Sequence, residues 1–203
     1  MGFYEKQVLP RFINVACGSK PMRPLRERAC AGLAGEVLEV GFGSGLNIPY
    51  YPAAVTRVTA VEPSDVGWKL ASSRRAKSNV PVERSGLDGQ SLPFADDTFD
   101  MALSTWTMCT IPDAVAALRE IRRVLKPGGT IHFVEHGLAP DEKVQRTQHR
   151  MEGFQNRVAG GCSIIKSIPE LFTAAGFTVT DLDVFYMPGP KFASAMSVGV
   201  ATG

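Results

Sequence analysis

The chain lacks the features that mark membrane, secreted and nucleic-acid-binding proteins. No run approaches the roughly 20 consecutive apolar residues that a membrane-spanning helix needs, and residues 1–12 lack the apolar segment of a signal peptide. The net charge over 203 residues is only +2, and the sequence shows no basic groove for nucleic acid. We therefore expect a cytoplasmic protein with no membrane span and no nucleic-acid partner, either a monomer or a homodimer.

Cysteine is scarce and scattered. The four cysteines are Cys17, Cys30, Cys109 and Cys162, and no two of them form a CxxC pair. This spacing predicts neither a zinc knuckle nor a disulfide framework, so we expect reduced thiols. Free cysteine is commonly a small buried hydrophobe, and we favour that interpretation over a nucleophilic role for Cys109 and Cys162.

One segment matches a zinc-binding motif in sequence. Residues 132–136 read HFVEH, which matches HxxEH, but zinc ligands in that motif share one helix face. The segment follows Lys-Pro-Gly-Gly and is rich in strand formers. In a strand, positions four apart lie roughly 13 Å from each other, which is too far for one ion. We expect no metal site.

Basic residues outnumber acids near the start of the chain. Between positions 5 and 28 there are six basic residues against two acids, Glu5 and Glu27. We interpret the stretch as the solvated face of N-terminal helices, with an anion-binding patch as the alternative. Residues 1–33 are therefore expected to form a helical segment, with residues 34–203 as the core of a single domain.

Short apolar runs alternate with helical patterns through the rest of the chain. Strands are predicted at 36–40, 55–61, 80–82, 99–104, 130–135, 177–184 and 192–200. Helices are predicted at 65–78, with Ser64 as its N-cap, and at 112–125, 141–155 and 167–176. This alternation predicts an α/β fold with a doubly wound, Rossmann-like sheet. The sheet would have seven strands, mostly parallel, with an antiparallel strand near the C-terminus and the N-terminal helices as a lid.

The first predicted strand ends in a glycine-rich loop. Glycines occupy positions 41, 43 and 45, whereas the dinucleotide fingerprint requires its third glycine at the sixth position, which here is Leu46. Glu39 lies two residues before the loop, where a carboxylate would repel a pyrophosphate and attract a cation. The register therefore favours a positively charged cofactor over a nicotinamide dinucleotide.

Four segments carry a family resemblance. EVGFGSG, VEPS, LDGQSLPFADDTFD and LREIRRVLKPGGTIHFVEH resemble, in order and spacing, the motifs of class I S-adenosylmethionine-dependent methyltransferases. The segments TWTMCTIPD, VEHGLAP and AGGCSIIKSIPELFTAAGF are similar to the methyltransferase-like thiol S-methyltransferases of animals and their soluble bacterial relatives. The animal enzymes begin with a hydrophobic anchor that we do not find here, so their location and substrate are not expected to carry over automatically.

The resemblance implies S-adenosyl-L-methionine as the cofactor and assigns residues to it. Glu39 would order its amino-acid end, the ribose hydroxyls would bind Glu62, and the adenine would meet the turn that begins at Asp88. Asn47 would contact the carboxylate or cap the short helix after it. The full predicted set is Glu39, Gly41, Gly43, Gly45, Asn47, Glu62, Pro63, Asp88, Gly89, Gln90, Ser104 and Thr105. For Glu62 and Asp88 the alternatives are a helix cap and a plain turn acid.

The acceptor side of the site is assigned in the same way. His136, at the exit of the fifth strand, is the candidate catalytic residue that holds or receives the proton of the acceptor, with loop anchoring as the alternative. Trp106 and Cys109 would form an apolar wall, although Trp106 could instead be core packing. Tyr4, with Phe3 and Phe12, would belong to a lid over the pocket.

Several functions remain compatible with these residues. The leading prediction is methyl transfer to a small molecule, most of all to a thiol, because a thiol needs only a modest pKa shift to ionise. The alternative is O- or C-methylation of a quinone or phenol. A nicotinamide-dependent reductase, which Leu46 opposes, and a cofactor-binding module without catalysis are the remaining candidates.

Overall fold

A seven-stranded sheet organises the chain in a computed structural model that describes residues 4–85 and 88–203. Its strands are β1 (Gly35–Val40), β2 (Val55–Val61), β3 (Val82–Arg84), β4 (Phe99–Thr105), β5 (Leu125–His136), β6 (Thr178–Tyr186) and β7 (Ala195–Thr202). Their order is β3-β2-β1-β4-β5-β7-β6. The strands β1 to β5 pair in parallel, and β7 is antiparallel to both β5 and β6. The predicted fold class is confirmed.

Helices cover both faces of the sheet. They are α1 (Leu9–Ala16), α2 (Arg23–Cys30), α3 (Asp65–Leu70), α4 (Ser72–Arg75), α5 (Ala114–Val124), α6 (Glu142–Val158) and α7 (Ile168–Ala174). Short π- or 3₁₀-helical segments are Tyr4–Val8, Lys20–Met22, Ile48–Tyr50 and Lys191–Ala193. In the described part of the chain, every helix is too short or too polar to cross a membrane.

Side-chain caps set two helix starts. The Ser64 hydroxyl accepts the Gly67 N–H at 3.1 Å, which confirms the predicted cap of α3. Asp113 accepts the Ala116 N–H at 2.9 Å, so α5 begins after Asp113 and not at Pro112. The helix predicted over 65–78 is interrupted at Ala71, whose ψ of −13° departs from helical geometry.

The core has two halves, one on each face of the sheet. On one face, Leu118 and Ile121 of α5 and Phe172 of α7 pack against the strands. On the other, α2 contributes Leu25 and Ala29. This two-sided packing is what makes a parallel sheet stable, because both of its faces are apolar.

Parallel strands deliver their carboxyl ends to one edge. Val40 pairs with Val61 of β2 and with Ser104 of β4, while Thr105 pairs with Val134 of β5. The loops that follow β1, β2, β4 and β5 therefore meet at this edge, where α/β sheets bind their ligands.

The stacked pair Phe133 and Phe172 joins β5 to α7, with ring centroids 4.3 Å apart and both side chains fully buried. We expect Phe172→Ala to lower the free energy of unfolding by about 3–5 kcal/mol, since it leaves a cavity in the core. Phe154→Ala is the matched control, because this α6 ring is 63% exposed and its loss should change stability by less than about 0.5 kcal/mol. Chemical denaturation measures both, and equal losses would contradict the assignment.

Candidate functional site

The glycine-rich loop is built for close backbone approach. Gly41, Gly43 and Gly45 all have positive φ, at 77°, 58° and 72°. A Cβ on Gly41 would collide with the side chain of Thr107 in the loop after β4. Glycine is therefore required at position 41 both by backbone conformation and by the neighbouring loop.

Glu62 fastens the end of β2 to this loop. Its carboxylate is buried and accepts the N–H of Gly43 at 2.5 Å and that of Ser64 at 2.6 Å. Burial raises the pKa of Glu62, against the opposing effect of these two donors. A carboxylate has about four acceptor positions, so both oxygens retain capacity for further donors. Its predicted contact with the ribose hydroxyls stays a prediction, as does a role for its exposed neighbour Pro63.

A chain of buried polar groups lies beneath the loop. Glu39 accepts hydrogen bonds from the Tyr51 hydroxyl and from Asn47 Nδ2, the latter at 3.0 Å. Asn47 Nδ2 also donates to Thr105 Oγ1 at 3.0 Å. Burial raises the pKa of Glu39 to about 7, although these hydrogen bonds oppose it. Asn47 does not use its side chain to cap the Ile48–Tyr50 segment, so that alternative is wrong.

Arg26 completes this chain and corrects the sequence interpretation. The guanidinium donates to Asn47 Oδ1 at 2.6 Å and to the carbonyl of Cys17 at 3.1 Å, and it lies 4.6 Å from the ring centroid of Trp106. Arg26 is only 5% exposed, so the solvated-face prediction is wrong at this position. Its Nε has no hydrogen-bond partner among residues 4–85 and 88–203.

A signal for Arg26 was present in the sequence. The buried residues of α2 are Leu25, Arg26, Ala29 and Cys30, which form one stripe at helical spacing. Position 26 therefore lies on the apolar face of the helix. A charged residue on such a face is the informative exception, because it must find partners once it is buried.

The predicted adenine turn lies against the end of β1. Asp88 Oδ1 accepts the Gln90 N–H at 2.9 Å, and Gln90 Oε1 accepts the Asp113 N–H at 3.0 Å. A Cβ on Gly89 would come within 3.0 Å of Val40 Cγ1. Asp88 is exposed and organises its own turn, as the alternative for this residue expected. Its contact with adenine stays a prediction.

Glu135 is a buried acid that organises the loop after β4. It accepts from the Ser104 hydroxyl at 2.6 Å and from the Thr107 N–H at 2.9 Å. Burial raises the pKa of Glu135 to about 7, against these donors. Ser104 is fully buried, and its hydroxyl hydrogen is donated to Glu135. That hydrogen is therefore not free to be donated to a cofactor, although Ser104 is predicted to lie beside one. Thr105 remains part of the polar chain beneath the loop.

Trp106 occupies a strained backbone conformation at the end of β4. Its φ is +52°, which is rare for a bulky side chain, and its N–H donates to the Val134 carbonyl at 2.8 Å. Such strain costs of the order of 1–3 kcal/mol and is concentrated at functional sites. The half-buried ring packs against the core on the α2 side, so both the pocket wall and the core interpretation have support.

Two thiols and a histidine meet on the acceptor side. The Sγ atoms of Cys109 and Cys162 lie 3.3 Å apart, and Cys162 Sγ lies 3.5 Å from His136 Nδ1. His136 Nε2 lies 2.6 Å from the Ala193 carbonyl, to which it donates. Burial alone would lower the pKa of His136, but its contacts with Cys162 and Ala193 outweigh this and raise it. Sequence reasoning did not place the three groups together.

The N-terminal segment lies over these loops. The Tyr4 hydroxyl donates to the Val158 carbonyl at the end of α6 at 3.2 Å, and Leu9 packs against Gly160. Phe3 falls outside the described residues, and Phe12 is 57% exposed. The segment thus covers the loop before Cys162, while contact of Tyr4 with an acceptor stays a prediction.

Comparison with known proteins agrees with this architecture. Residues 38–133 match the family described as Methyltransferase domain. Human thiol S-methyltransferase TMT1B is 33% identical over 120 residues, which cover 56% of this chain and 48% of the human protein. An S-adenosylmethionine-dependent methyltransferase from Mesorhizobium loti superposes with a TM-score of 0.65 at 16% identity, covering 92% of this chain and 99% of the other.

These matches support a class I S-adenosylmethionine-dependent methyltransferase and, with it, S-adenosylmethionine as the cofactor. It spans between 45% and 66% of the length of the thiol S-methyltransferases that it matches. The [4+2]-cyclase SpnF superposes equally well, with a TM-score of 0.69 at 21% identity over 89% of this chain and 78% of its own. Fold alone thus does not identify the reaction.

The donor set fits a ligand that carries both charges at one end. S-adenosylmethionine has an ammonium, a carboxylate and a sulfonium close together. Glu39 supplies a buried acid, and Arg26 supplies a buried cation whose Nε–H has no partner in the described part of the chain. Charges buried at this depth need counter-charges, which a zwitterionic amino acid provides.

Arg26→Lys tests this fit. We expect the variant to bind S-adenosylhomocysteine about tenfold to a hundredfold more weakly, since it loses charge-assisted hydrogen bonds that lysine cannot replace. Methylthioadenosine, which lacks the amino-acid end, should bind both proteins equally. Arg28→Lys is the control, because Arg28 pairs with Asp183 on the surface. Calorimetry gives the affinities, and parallel losses for both ligands would contradict the assignment.

Glu39→Gln tests the buried acid. Because burial raises the pKa of Glu39 from 4.5 to about 7, the folded chain keeps a proton that the unfolded chain releases. The free energy of unfolding should therefore fall as pH rises from about 4.5 to 7, by something of the order of 3 kcal/mol from this residue. Denaturation of Glu39→Gln should show a flatter pH dependence, with the part due to Glu135 retained. Glu36→Gln, at a half-exposed position on β1, is the matched control.

Proposed function

We propose that this chain transfers the methyl group of S-adenosylmethionine to the thiol of a small lipophilic molecule. One observation carries the proposal: the acceptor side already holds a sulfur atom 3.5 Å from His136 Nδ1. The surroundings lower the pKa of that Cys162 thiol through its contacts with Cys109 and His136. An environment that favours a protein thiolate also favours the thiolate of a bound acceptor.

Similarity to the thiol S-methyltransferases supports the same acceptor class. Human TMT1B and TMT1A are 33% and 34% identical to this chain over 56% and 52% of its length. The alignments cover about half of this chain, and the family described as Methyltransferase domain matches residues 38–133, so the likeness supports the class of donor more strongly than the choice of acceptor. The choice of a thiol rests on the surroundings of His136.

On the cofactor side, residues of this chain would bind and orient S-adenosylmethionine. Arg26 and Glu39 would hold the carboxylate and the ammonium, Glu62 the ribose, and the Asp88 turn the adenine. When bound, S-adenosylmethionine supplies an electrophilic methyl group. Transfer to a soft nucleophile is an in-line displacement, so the protein contributes alignment and exclusion of water in place of an elaborate acid–base set.

On the acceptor side, His136 acts by its charge. Its raised pKa favours the imidazolium, which stabilises a nearby thiolate through space. Nε2 is committed to the Ala193 carbonyl, so Nδ1 is the atom that faces sulfur. Trp106 provides an aromatic wall, and the segment from Tyr4 to α1 keeps water from the loops.

A product assay decides the acceptor. The full chain is incubated with S-adenosylmethionine and three acceptors of similar shape, namely thiophenol, phenol and a quinol, and the products are identified by mass. We expect the methyl thioether to form at least tenfold faster than either methyl ether. Faster methylation of phenol or quinol would establish the alternative. Cofactor binding without any product would leave a binding module.

His136→Asn separates catalysis from binding in the same assay. We expect turnover with thiophenol to fall at least tenfold, with a flattened pH profile and unchanged affinity for S-adenosylhomocysteine. His149→Asn is the control, because His149 is exposed on α6. A profile identical to that of the wild type would remove His136 from the reaction.

A further inference from the structure

Cys109 and Cys162 come from distant parts of the chain and form a dithiol. Cys109 follows β4, and Cys162 lies in the loop between α6 and α7. Their sulfurs are 3.3 Å apart, and the Ser163 N–H donates to the carbonyl of Cys109 at 3.0 Å. The two backbones are therefore fastened side by side. Both thiols are free, so the pair is poised for a disulfide and does not already contain one.

The two sulfurs differ in their surroundings. Cys162 is 8% exposed and contacts His136 Nδ1, whereas Cys109 is 1% exposed and buried behind it. The hydrogen bond between the sulfurs and burial raise the pKa of Cys109, while contact with Cys109 and the imidazole lowers that of Cys162. The more accessible sulfur is thus the nucleophile, and the buried sulfur is placed to react second.

We propose that Cys162 is a site of oxidation by hydroperoxides, with Cys109 as its resolving thiol and His136 as its cationic partner. The Cys162 thiolate attacks one oxygen of the hydroperoxide, the O–O bond breaks, and the departing alkoxide takes a proton to leave as an alcohol. Cys162 is then a sulfenic acid. The Cys109 sulfur attacks it, an S–S bond forms, and water leaves with the Cys109 proton.

The reaction balances as two thiols and one hydroperoxide giving a disulfide, an alcohol and water. Cys109 lies in the same loop as Trp106, and Cys162 contacts His136 at the end of β5. The disulfide withdraws the Cys162 thiolate from the imidazole. Oxidation would thereby change the charge balance of the acceptor side. A dithiol reductant would reverse the change in the protein, since the oxidised cysteines end as a disulfide.

Cys17 provides a demanding comparison. It is more exposed than Cys162, and burial raises its pKa. If accessibility alone decided reactivity, Cys17 would oxidise first. The dithiol arrangement predicts the opposite order.

The test uses the full reduced chain, hydrogen peroxide in slight excess, and alkylation under denaturing conditions followed by mass spectrometry. We expect alkylated thiols to fall from four to two, with peptide mapping to a Cys109–Cys162 disulfide that dithiothreitol removes. In wild-type protein treated with dimedone during oxidation, the adduct should map to Cys162. These readouts need neither cofactor nor acceptor, so they are independent of the proposed methyl transfer.

Variants assign the two roles. Cys109→Ser should accumulate the sulfenic acid at Cys162, and Cys162→Ser should oxidise at least tenfold more slowly. Cys17→Ser is the control and should oxidise like the wild type. A dimedone adduct at Cys17, a disulfide that includes Cys17, or an unchanged oxidation rate in Cys162→Ser would each overturn the proposal.

Discussion

The buried hydrogen-bond chain from Arg26 through Asn47 to Glu39 is the interaction on which the rest of the site depends. It joins a helix of the N-terminal segment to the glycine-rich loop and to the first strand. A buried charge is costly alone, and each member of the chain offsets the cost of the next. The N-terminal segment is therefore part of the polar chain beneath the glycine-rich loop, since its removal would leave Asn47 and Glu39 without Arg26.

The strands and their order follow from patterns that a sequence shows directly. Short apolar runs such as residues 36–40 and 55–61 must be buried on both faces, and the helices between them force parallel connections. The ends of helices and strands are harder to predict where a single side chain decides them. Asp113 starts α5 by accepting the Ala116 N–H, and no periodicity distinguishes that aspartate from its neighbour Pro112.

Site residues divide in the same way. Glu39 and Gly41 lie in one motif, and Glu62 follows the next strand along the chain. Their spacing in the sequence therefore predicts that they lie close together. Cys109 and Cys162 are 53 positions apart, and nothing local in either segment indicates the other. Arg26 lies between these cases: its position in a buried stripe is visible in the sequence, but the Asn47 amide that makes its burial tolerable belongs to another element.

The strained backbone at Trp106 determines how a substitution at this position would act on stability. A glycine at that position would adopt the same φ without strain, but it would lose the packing of the ring against the α2 side of the core and would give the unfolded chain more conformational entropy. It would also erase the aromatic surface that Arg26 lies against. The strain at position 106 is thus tied to the packing of its ring, so that relieving the one removes the other.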